Sequence, residues 1–256
     1  MRMFELIKQR FCEKSPEWLY ALVKGIYCLL FRPWEFMFMI PQTNCWLAVK
    51  NGKKLLIPSP KGDWSSFIVD YNKARFINYG DVAVVAGACV GATTLSIAHK
   101  AGKVIAIEAN PKNLLFLRRN VKAYGYKNVI VVGKALYSFR GKVKLYITST
   151  ITGHSISQLI ALRKPFTGEY VEVQADTLDN ILTEIGVKKA DVLIMNIEGA
   201  ELEALKGAEE TLKKIMKISV ACHGDIKGCV CNFLKKRGFV VKSEMDLIYA
   251  RRGHQF

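Results

Sequence analysis

Short apolar runs alternate with helical stretches from about residue 80 to the end of this 256-residue chain, and this alternation constrains the fold most. Strands that are apolar throughout, separated by helices, are typical of a parallel sheet covered on both faces. The pattern predicts an α/β fold with a doubly wound, mostly parallel sheet. The predicted strands cover 82–86, 103–108, 128–133, 141–147, 170–175, 191–197 and 217–222, and a hairpin over 239–252 closes the chain.

Capping residues indicate where the helices begin and end. Asn110 and Pro111 are a helix cap and a first helical residue, and Gly125 ends the same helix after Tyr124. Further helices are predicted near 92–101, over 177–186, as one element over 199–214, and before Gly238. A doubly wound sheet binds its ligand at the carboxyl ends of its strands, which predicts functional groups just after residues 86, 108, 133, 196 and 222.

The first 62 residues are predicted to be an N-terminal extension of amphipathic helices and a hairpin, with the main domain at 63–256. Ser15 and Pro16 begin a helix that ends at Arg32, and Asn51-Gly52 is the turn of a hairpin over 45–58. Lys24 interrupts the apolar stretch, so no membrane span or signal peptide is expected. Residues 15–40 either pack on the main domain, lie on a membrane surface or form a dimer contact.

Lys and Arg exceed Asp and Glu by 16, and Lys100–Lys144 holds eleven basic residues and the single acid Glu108. Such an excess favours nucleic acid, acidic lipid headgroups or an anionic substrate as partners, although a solvated lysine-rich surface also explains it. No aromatic-rich RNA-binding signature accompanies the charge, so nucleic acid is not favoured. The oligomeric state is left open.

Seven cysteines with no CxxC pair argue against a disulfide framework and for a cytoplasmic protein, with peripheral membrane association as the alternative. Cys222, Cys229 and Cys231 lie near His223, but their spacing is irregular for zinc, and no metal is expected.

The stretch "VVAGACVG" places Gly87 and Gly91 at a strand-to-helix junction. Missing side chains there let a ligand approach the backbone and the free N–H groups of the next helix. Glu108 ends the following strand, 21 residues after Gly87, where a carboxylate accepts ribose hydroxyls. The turn lacks the middle glycine of a dinucleotide site, which favours S-adenosylmethionine, a cofactor without phosphate. An unliganded strand–helix–strand crossover remains the alternative.

The sequence resembles the FkbM-type S-adenosylmethionine-dependent methyltransferases over about residues 65–225. The first block is "YGDVAVVAGACVGATTLSIA", and the second runs from "VIAIEANPKN" to "ALYSFRGKVKLYI". The third and most specific block is "ADTLDNILTEIGVKKADVLIMNIEGAELEALKGAEETL". The resemblance implies a Rossmann-like class I fold and O-methylation of a sugar, glycan, lipid-linked or small-molecule acceptor.

The resemblance also assigns the cofactor site. The turn would be formed by Gly87, Ala88, Cys89 and Gly91, and Glu108 would hold the ribose. The adenine would lie beside Ala109, Asn110, Lys134, Ala135 and Leu136, although Asn110 is first a helix cap.

Three positions depart from the family pattern. Val85 and Asn196 replace acids, and Cys89 replaces an asparagine. Val85 accepts no hydrogen bond from a cofactor, and Asn196 cannot act as a base. These departures leave open a catalytically weakened, methyltransferase-fold binding protein. An RNA methyltransferase is a further alternative given the charge, and a nicotinamide-dependent oxidoreductase is disfavoured.

The candidate catalytic residues are Asn196, Glu198, His154 and His223. Asn196 and Glu198 end the strand over which the acceptor approaches, and a carboxylate there orients a hydroxyl or takes its proton. Glu198 is alternatively a first-turn acid of the next helix. His154 lies in the irregular segment "TGHS", and an ordinary loop histidine is the alternative. His223 follows the strand predicted over 217–222, and a core imidazole is the alternative.

Overall fold

A computed structural model describes residues 16, 35–39, 46–50, 53–58, 76–150, 152–158, 166–222 and 224–253. Several predictions lie outside these residues: the helix over 15–32 apart from Pro16, the Asn51-Gly52 turn, the domain boundary at 62 and the position of His223. No helix in the described part of the chain is long and apolar enough to cross a membrane.

The described residues form thirteen strands and six α-helices. The strands are β1 (Glu35–Met39), β2 (Trp46–Lys50), β3 (Lys53–Ile57), β4 (Val82–Ala86), β5 (Lys103–Ile107), β6 (Val129–Val132), β7 (Ala135–Leu136), β8 (Gly141–Thr148), β9 (Phe166–Asp176), β10 (Val192–Met195), β11 (Lys217–Ala221), β12 (Val240–Glu244) and β13 (Leu247–Arg251). The helices are α1 (Ala92–Ala98), α2 (Pro111–Tyr124), α3 (Leu178–Glu184), α4 (Glu201–Lys206), α5 (Glu209–Lys214) and α6 (Lys227–Lys235).

Seven strands form the central sheet in the order β6-β5-β4-β10-β11-β13-β12. Strands β4, β5, β6, β10 and β11 are parallel, and β13 runs antiparallel between β11 and β12. The predicted mostly parallel, Rossmann-like sheet and its closing hairpin are confirmed. The chain builds outward from β4 to β6 and then returns to the other side of β4 as β10, so the change in strand order lies between β4 and β10.

The sheet separates two apolar cores because side chains of a strand alternate between its faces. Val85 of β4 packs with Leu117 of α2 on one face, together with Trp46 and Ile57 of the β2–β3 hairpin. Val84 of β4 faces the other core, which the helices after β9 cover. The hairpin therefore shares a core with the central sheet.

Helix boundaries follow the predicted caps, with one exception. Asn110 Oδ1 accepts hydrogen bonds from the backbone N–H groups of Lys112 (2.8 Å) and Asn113 (3.1 Å), and Gly125 ends α2 with φ of 71°. The single helix predicted over 199–214 is wrong, because the chain breaks between α4 and α5 at Gly207. A Cβ at Gly207 would overlap the carbonyl oxygen of Tyr137, so the backbone itself packs tightly there.

The N-terminal region also differs from expectation. Residues 35–39, expected to belong to helices, form strand β1, which pairs antiparallel with β2. Hydrogen bonding to the hairpin gives this apolar segment backbone partners that an isolated segment lacks. The predicted hairpin is confirmed: Lys50 pairs with Lys53, which leaves two residues for the turn.

A second, smaller sheet in the order β7-β9-β8 follows the edge strand β6. Strand β8 runs antiparallel to β9, and β7 runs parallel to it. Residues at the end of β8 and in the loop after it contribute to the cleft described next.

Candidate functional site

A cleft opens at the carboxyl ends of β4, β5 and β10, where the doubly wound topology predicts the ligand site. It encloses about 650 Å³ of space, including its open mouth. Ten of the predicted site residues line it: Gly87, Cys89, Glu108, Ala109, Lys134, Ala135, Leu136, His154, Asn196 and Glu198.

Glu108 is buried at the floor of the cleft, between the glycine turn and α2. Its Oε2 accepts a hydrogen bond from Cys89 N at 2.7 Å and its Oε1 accepts one from Asn110 N at 2.8 Å. Burial raises the pKa of the Glu108 carboxyl to about 7, although these backbone hydrogen bonds act in the opposite direction. The side chain is held in place by the main chain and still borders the cleft.

The glycines of the turn are required by packing within the protein. Gly87 has φ of 76°, and a Cβ there would overlap the carbonyl oxygen of Asn196. Gly91 has φ of 105°, and a Cβ there would lie 2.9 Å from Leu117 Cδ1. The expectation that the missing side chains make room for a ligand is therefore corrected, because both Cβ positions point at protein atoms.

Three predicted cofactor residues do not line the cleft. Ala88 is buried in the core on the α1–α2 side, and Gly91 is the N-cap residue of α1. Asn110 caps α2 and borders a neighbouring cavity. These three residues fix the backbone conformation of the segments that carry Cys89 and Glu108.

Cys89 and Glu198 face the cleft from strained backbone positions. Their φ angles are 50° and 55°, and the only other described non-glycine residue with positive φ is Met245, in the β12–β13 turn. Such conformations concentrate where the surrounding structure demands a particular side-chain direction.

One wall of the cleft is apolar and backed by an ion-pair cluster. Ala135 and Leu136 of β7 are buried beside Ala109. Next to them, Lys134 Nζ lies 2.8 Å from Asp176 Oδ2 and 2.6 Å from Glu184 Oε2. The two carboxylates raise the pKa of Lys134, which stays charged.

Asn196 and Glu198 follow β10 at the opposite side of the cleft. Asn196 Oδ1 is buried and accepts no hydrogen bond from any described residue. Glu198 is buried too, and its carbonyl oxygen accepts the Ser155 hydroxyl. Helix α4 begins only at Glu201, whose Oε1 accepts Gly199 N at 3.1 Å. The alternative in which Glu198 is a first-turn acid of the helix is therefore wrong.

His154 lies over the cleft in the loop after β8. Its Nδ1 accepts a hydrogen bond from Thr148 N at 3.1 Å, which places the proton of the neutral ring on Nε2. Burial, and secondarily the charge of Lys112, lowers the pKa of His154 to about 4. A ring with this pKa is neutral at physiological pH and is a weak base.

A sequence profile described as the methyltransferase FkbM domain matches residues 86–241, more than half of the chain. The chain belongs to the FkbM methyltransferase family. The predicted family is thereby confirmed, and S-adenosylmethionine is the cofactor of this FkbM-family methyltransferase. Among curated proteins, no relative matches the sequence.

Three solved structures are similar to this chain, and the first two of them show the same fold. Methyltransferase FkbM from Methylobacillus flagellatus KT is 17% identical with a TM-score of 0.53, over 72% of this chain and 47% of that chain. Trm5b from Pyrococcus abyssi is 16% identical with a TM-score of 0.50, and the match covers 85% of this chain and 62% of that chain. A putative methyltransferase from Streptococcus mutans in complex with SAH is 12% identical with a TM-score of 0.46, and the match covers 74% of this chain and 99% of that chain. This chain spans about half the length of the FkbM structure.

The residues of the cleft fit an adenosyl cofactor. Glu108 offers carboxylate oxygens for hydroxyl donors, and Ala135 and Leu136 offer an apolar wall. Asn196 Oδ1 is a buried acceptor without a described partner, as expected of an atom that a ligand completes. Val85, which replaces a family acid, is buried in the core and does not line the cleft.

Sequence reasoning missed several residues of this FkbM site. Asn113 is buried in the first turn of α2, where its side-chain amide donates a hydrogen bond to Cys89 Sγ at 3.7 Å. Its position three residues after the Asn110 cap was the sequence signal that it faces the glycine turn. Leu145, Thr152, Gly153 and Ile156 reach the cleft only through the β7-β9-β8 sheet and its loop, for which no local pattern exists.

Proposed function

We propose that this chain transfers the methyl group of S-adenosylmethionine to a hydroxyl oxygen of a sugar, glycan, lipid-linked or small-molecule acceptor. The observation that carries the proposal is the buried Glu198 carboxylate in the cleft, beside the Asn196 acceptor at the end of β10. Among the described residues that line the cleft, Glu108 is the other carboxylate, and it is held by two backbone N–H groups.

The residues on one side of the cleft bind the cofactor in this proposal, and those on the other side act on the acceptor. Glu108 would accept hydrogen bonds from the ribose hydroxyls, and the apolar wall of Ala109, Ala135 and Leu136 would hold the adenine. The cofactor, when bound, supplies an electrophilic methyl group on a good leaving group, so the protein contributes mainly alignment. Glu198 accepts the proton of the acceptor hydroxyl, and Asn196 positions the reacting groups through hydrogen bonds. His154 is neutral and donates a hydrogen bond from Nε2.

The first experiment is calorimetric titration of the purified chain with S-adenosylmethionine, repeated with Glu108→Ala. We expect binding by the wild type and its loss in the variant. Turnover is then measured as production of S-adenosylhomocysteine with panels of glycans, lipid-linked sugars and hydroxylated metabolites.

Glu198→Gln tests the base directly. We expect S-adenosylmethionine binding to be unchanged and turnover to fall by about 10²- to 10⁴-fold, the usual contribution of a general base. Glu210→Gln, an exposed position of α5, is the control and keeps full turnover. Undiminished turnover of Glu198→Gln would show that the carboxylate is not the base.

A second candidate is a methyltransferase-fold binding protein without turnover. The replacement of family residues by Cys89 and Asn196, which both line the cleft, favours it. Absence of S-adenosylmethionine binding at every reachable concentration would support this candidate. Methyl transfer to RNA rather than to hydroxylated acceptors in the same turnover assay would favour an RNA methyltransferase.

A further inference from the structure

Much of the net positive charge of the chain comes from one stretch of the sequence. Residues 109–168 contain eleven Lys and Arg and no Asp or Glu. Helix α2, the edge strand β6 and strand β8 all come from this stretch. Since β6 is the last strand of the central sheet on its side, the charge gathers at this edge.

Helix α2 presents a continuous basic surface. Lys112, Arg118, Arg119 and Lys122 are exposed, and at 3.6 residues per turn they fall within an arc of about 120°. Leu115 lies near the centre of this arc and is 48% exposed. We call these five residues the basic face. The buried residues of α2, Asn113, Phe116, Leu117, Asn120 and Val121, lie on the other side of the helix.

The cations of the basic face lack an acidic partner among the described residues. None of the four forms an ion pair with a described residue, and α2 has no acid of its own. Several basic residues elsewhere in the described chain do pair with carboxylates, as in Lys134–Asp176, Lys189–Asp191, Lys213–Glu210, Arg237–Glu209 and Lys242–Glu244. Like charges on one helix face repel one another, so an external polyanion would stabilise this arrangement.

We propose that the basic face binds an anionic membrane surface. A bilayer containing acidic lipids attracts each nearby Lys or Arg, and an aliphatic residue among them gains further by entering the headgroup region. Leu115 occupies that place. Single-stranded nucleic acid would instead use aromatic side chains for base stacking, and the basic face contains no aromatic residue.

Docking in this way brings the functional cleft near the bilayer. Lys112 lies in the first turn of α2 and borders a cavity with about 760 Å³ of space, including its open mouth. Asn113 and His154 line both this cavity and the cleft, so the two adjoin. A membrane against Lys112 would therefore lie beside the entrance to the cleft.

The test is co-sedimentation of the full chain with vesicles of phosphatidylcholine alone or of phosphatidylcholine mixed with phosphatidylglycerol. We expect binding only to the mixed vesicles, weakening as salt is raised. Each basic residue near an anionic bilayer strengthens binding about fivefold, so Arg118→Glu/Arg119→Glu should lower the partition coefficient by about 25-fold or more.

Lys235→Glu/Lys236→Glu is the matched control, because it makes the same charge change at two adjacent exposed residues at the end of α6. We expect it to bind like the wild type. A second variant, Leu115→Ser, should weaken binding at high salt, where the apolar contact remains. Circular dichroism and thermal unfolding verify that each variant folds.

Four outcomes would overturn the proposal. The first three are wild-type binding in the Arg118→Glu/Arg119→Glu variant, equal loss in the α6 control, and absence of binding to mixed vesicles. Displacement from mixed vesicles by substoichiometric mixed-sequence RNA would also overturn it, since the basic face would then prefer nucleic acid.

Discussion

The main chains of Gly87 and Asn196 meet so closely that no side chain fits at position 87. Asn196 N also donates a hydrogen bond to Ala86 O at 3.0 Å. These residues are 109 positions apart and lie at the carboxyl ends of the neighbouring strands β4 and β10. The glycine turn and the strand end that carries Glu198 are therefore one packed unit.

Gly87→Ala should destabilise the protein much more than Gly125→Ala. Both glycines have φ near 70°, which costs an alanine about 1 to 2 kcal/mol. A Cβ at Gly125 meets nothing within 4 Å, whereas a Cβ at Gly87 overlaps Asn196. We expect an additional loss of about 2 to 3 kcal/mol in the free energy of unfolding for Gly87→Ala, measured in urea. Equal losses would contradict the packing argument.

The affinity for S-adenosylmethionine should rise about tenfold between about pH 6 and pH 8. The pKa of Glu108 is about 7 in the folded protein, and only the ionised carboxylate has both oxygens free of a proton to accept hydroxyls. Calorimetric titrations between pH 6 and pH 8 measure how the affinity changes with pH. In Glu108→Gln the affinity should be lower by at least about tenfold at pH 8.

The dependence of S-adenosylmethionine affinity on pH must also disappear in Glu108→Gln, since other groups of the cofactor titrate equally with both proteins.

The raised pKa of Glu108 also makes the stability of the protein depend on pH. Because the carboxyl ionises near 4.5 when exposed and near 7 when buried, its contribution to stability is present below about pH 4.5 and is lost as the pH rises through 7.

Asp179, from the Leu-Asp step of the third sequence block, should prove structural. Its Oδ2 accepts Glu210 N at 2.9 Å and its Oδ1 accepts Thr211 N at 2.7 Å, so it caps α5 from another helix. Asp179→Ala leaves two helix N–H groups without this partner and should lower the free energy of unfolding by about 2 to 3 kcal/mol. Asp179→Asn, which keeps one acceptor, should lose about half as much. A loss of turnover without a loss of stability would instead indicate a role in the reaction.

His154 should not titrate near neutral pH. Its folded pKa of about 4 is below the usual 6.5, so its contribution to stability is present above about pH 6.5 and is lost as the pH falls through 4. NMR titration of the ring protons, with the signal assigned by His154→Asn, measures this value. An inflection between pH 6 and pH 7 in that signal would contradict the buried geometry and restore His154 as a candidate base.

The parts predicted correctly are those with a local chemical cause. The asparagine cap and Gly125 bound α2 because a side-chain oxygen and a left-handed residue act on the nearest turn alone. The apolar strands were recognised because burial on both faces removes the polar alternation. The break at Gly207 was missed because its cause is Tyr137, a residue distant in sequence. The placement of β1 depended likewise on pairing with β2.

Hydrophobic pattern and backbone preference act over a few neighbouring residues, so the residues alone predict the fold class and the glycine turn and acid at the site, and the resemblance of three sequence blocks indicates the family. Only the folded chain shows that Gly87 packs against Asn196, that Val85 lies in the core and that His154 lies partly buried over the cleft. These facts depend on which distant segments meet, and such contacts follow from packing the whole chain.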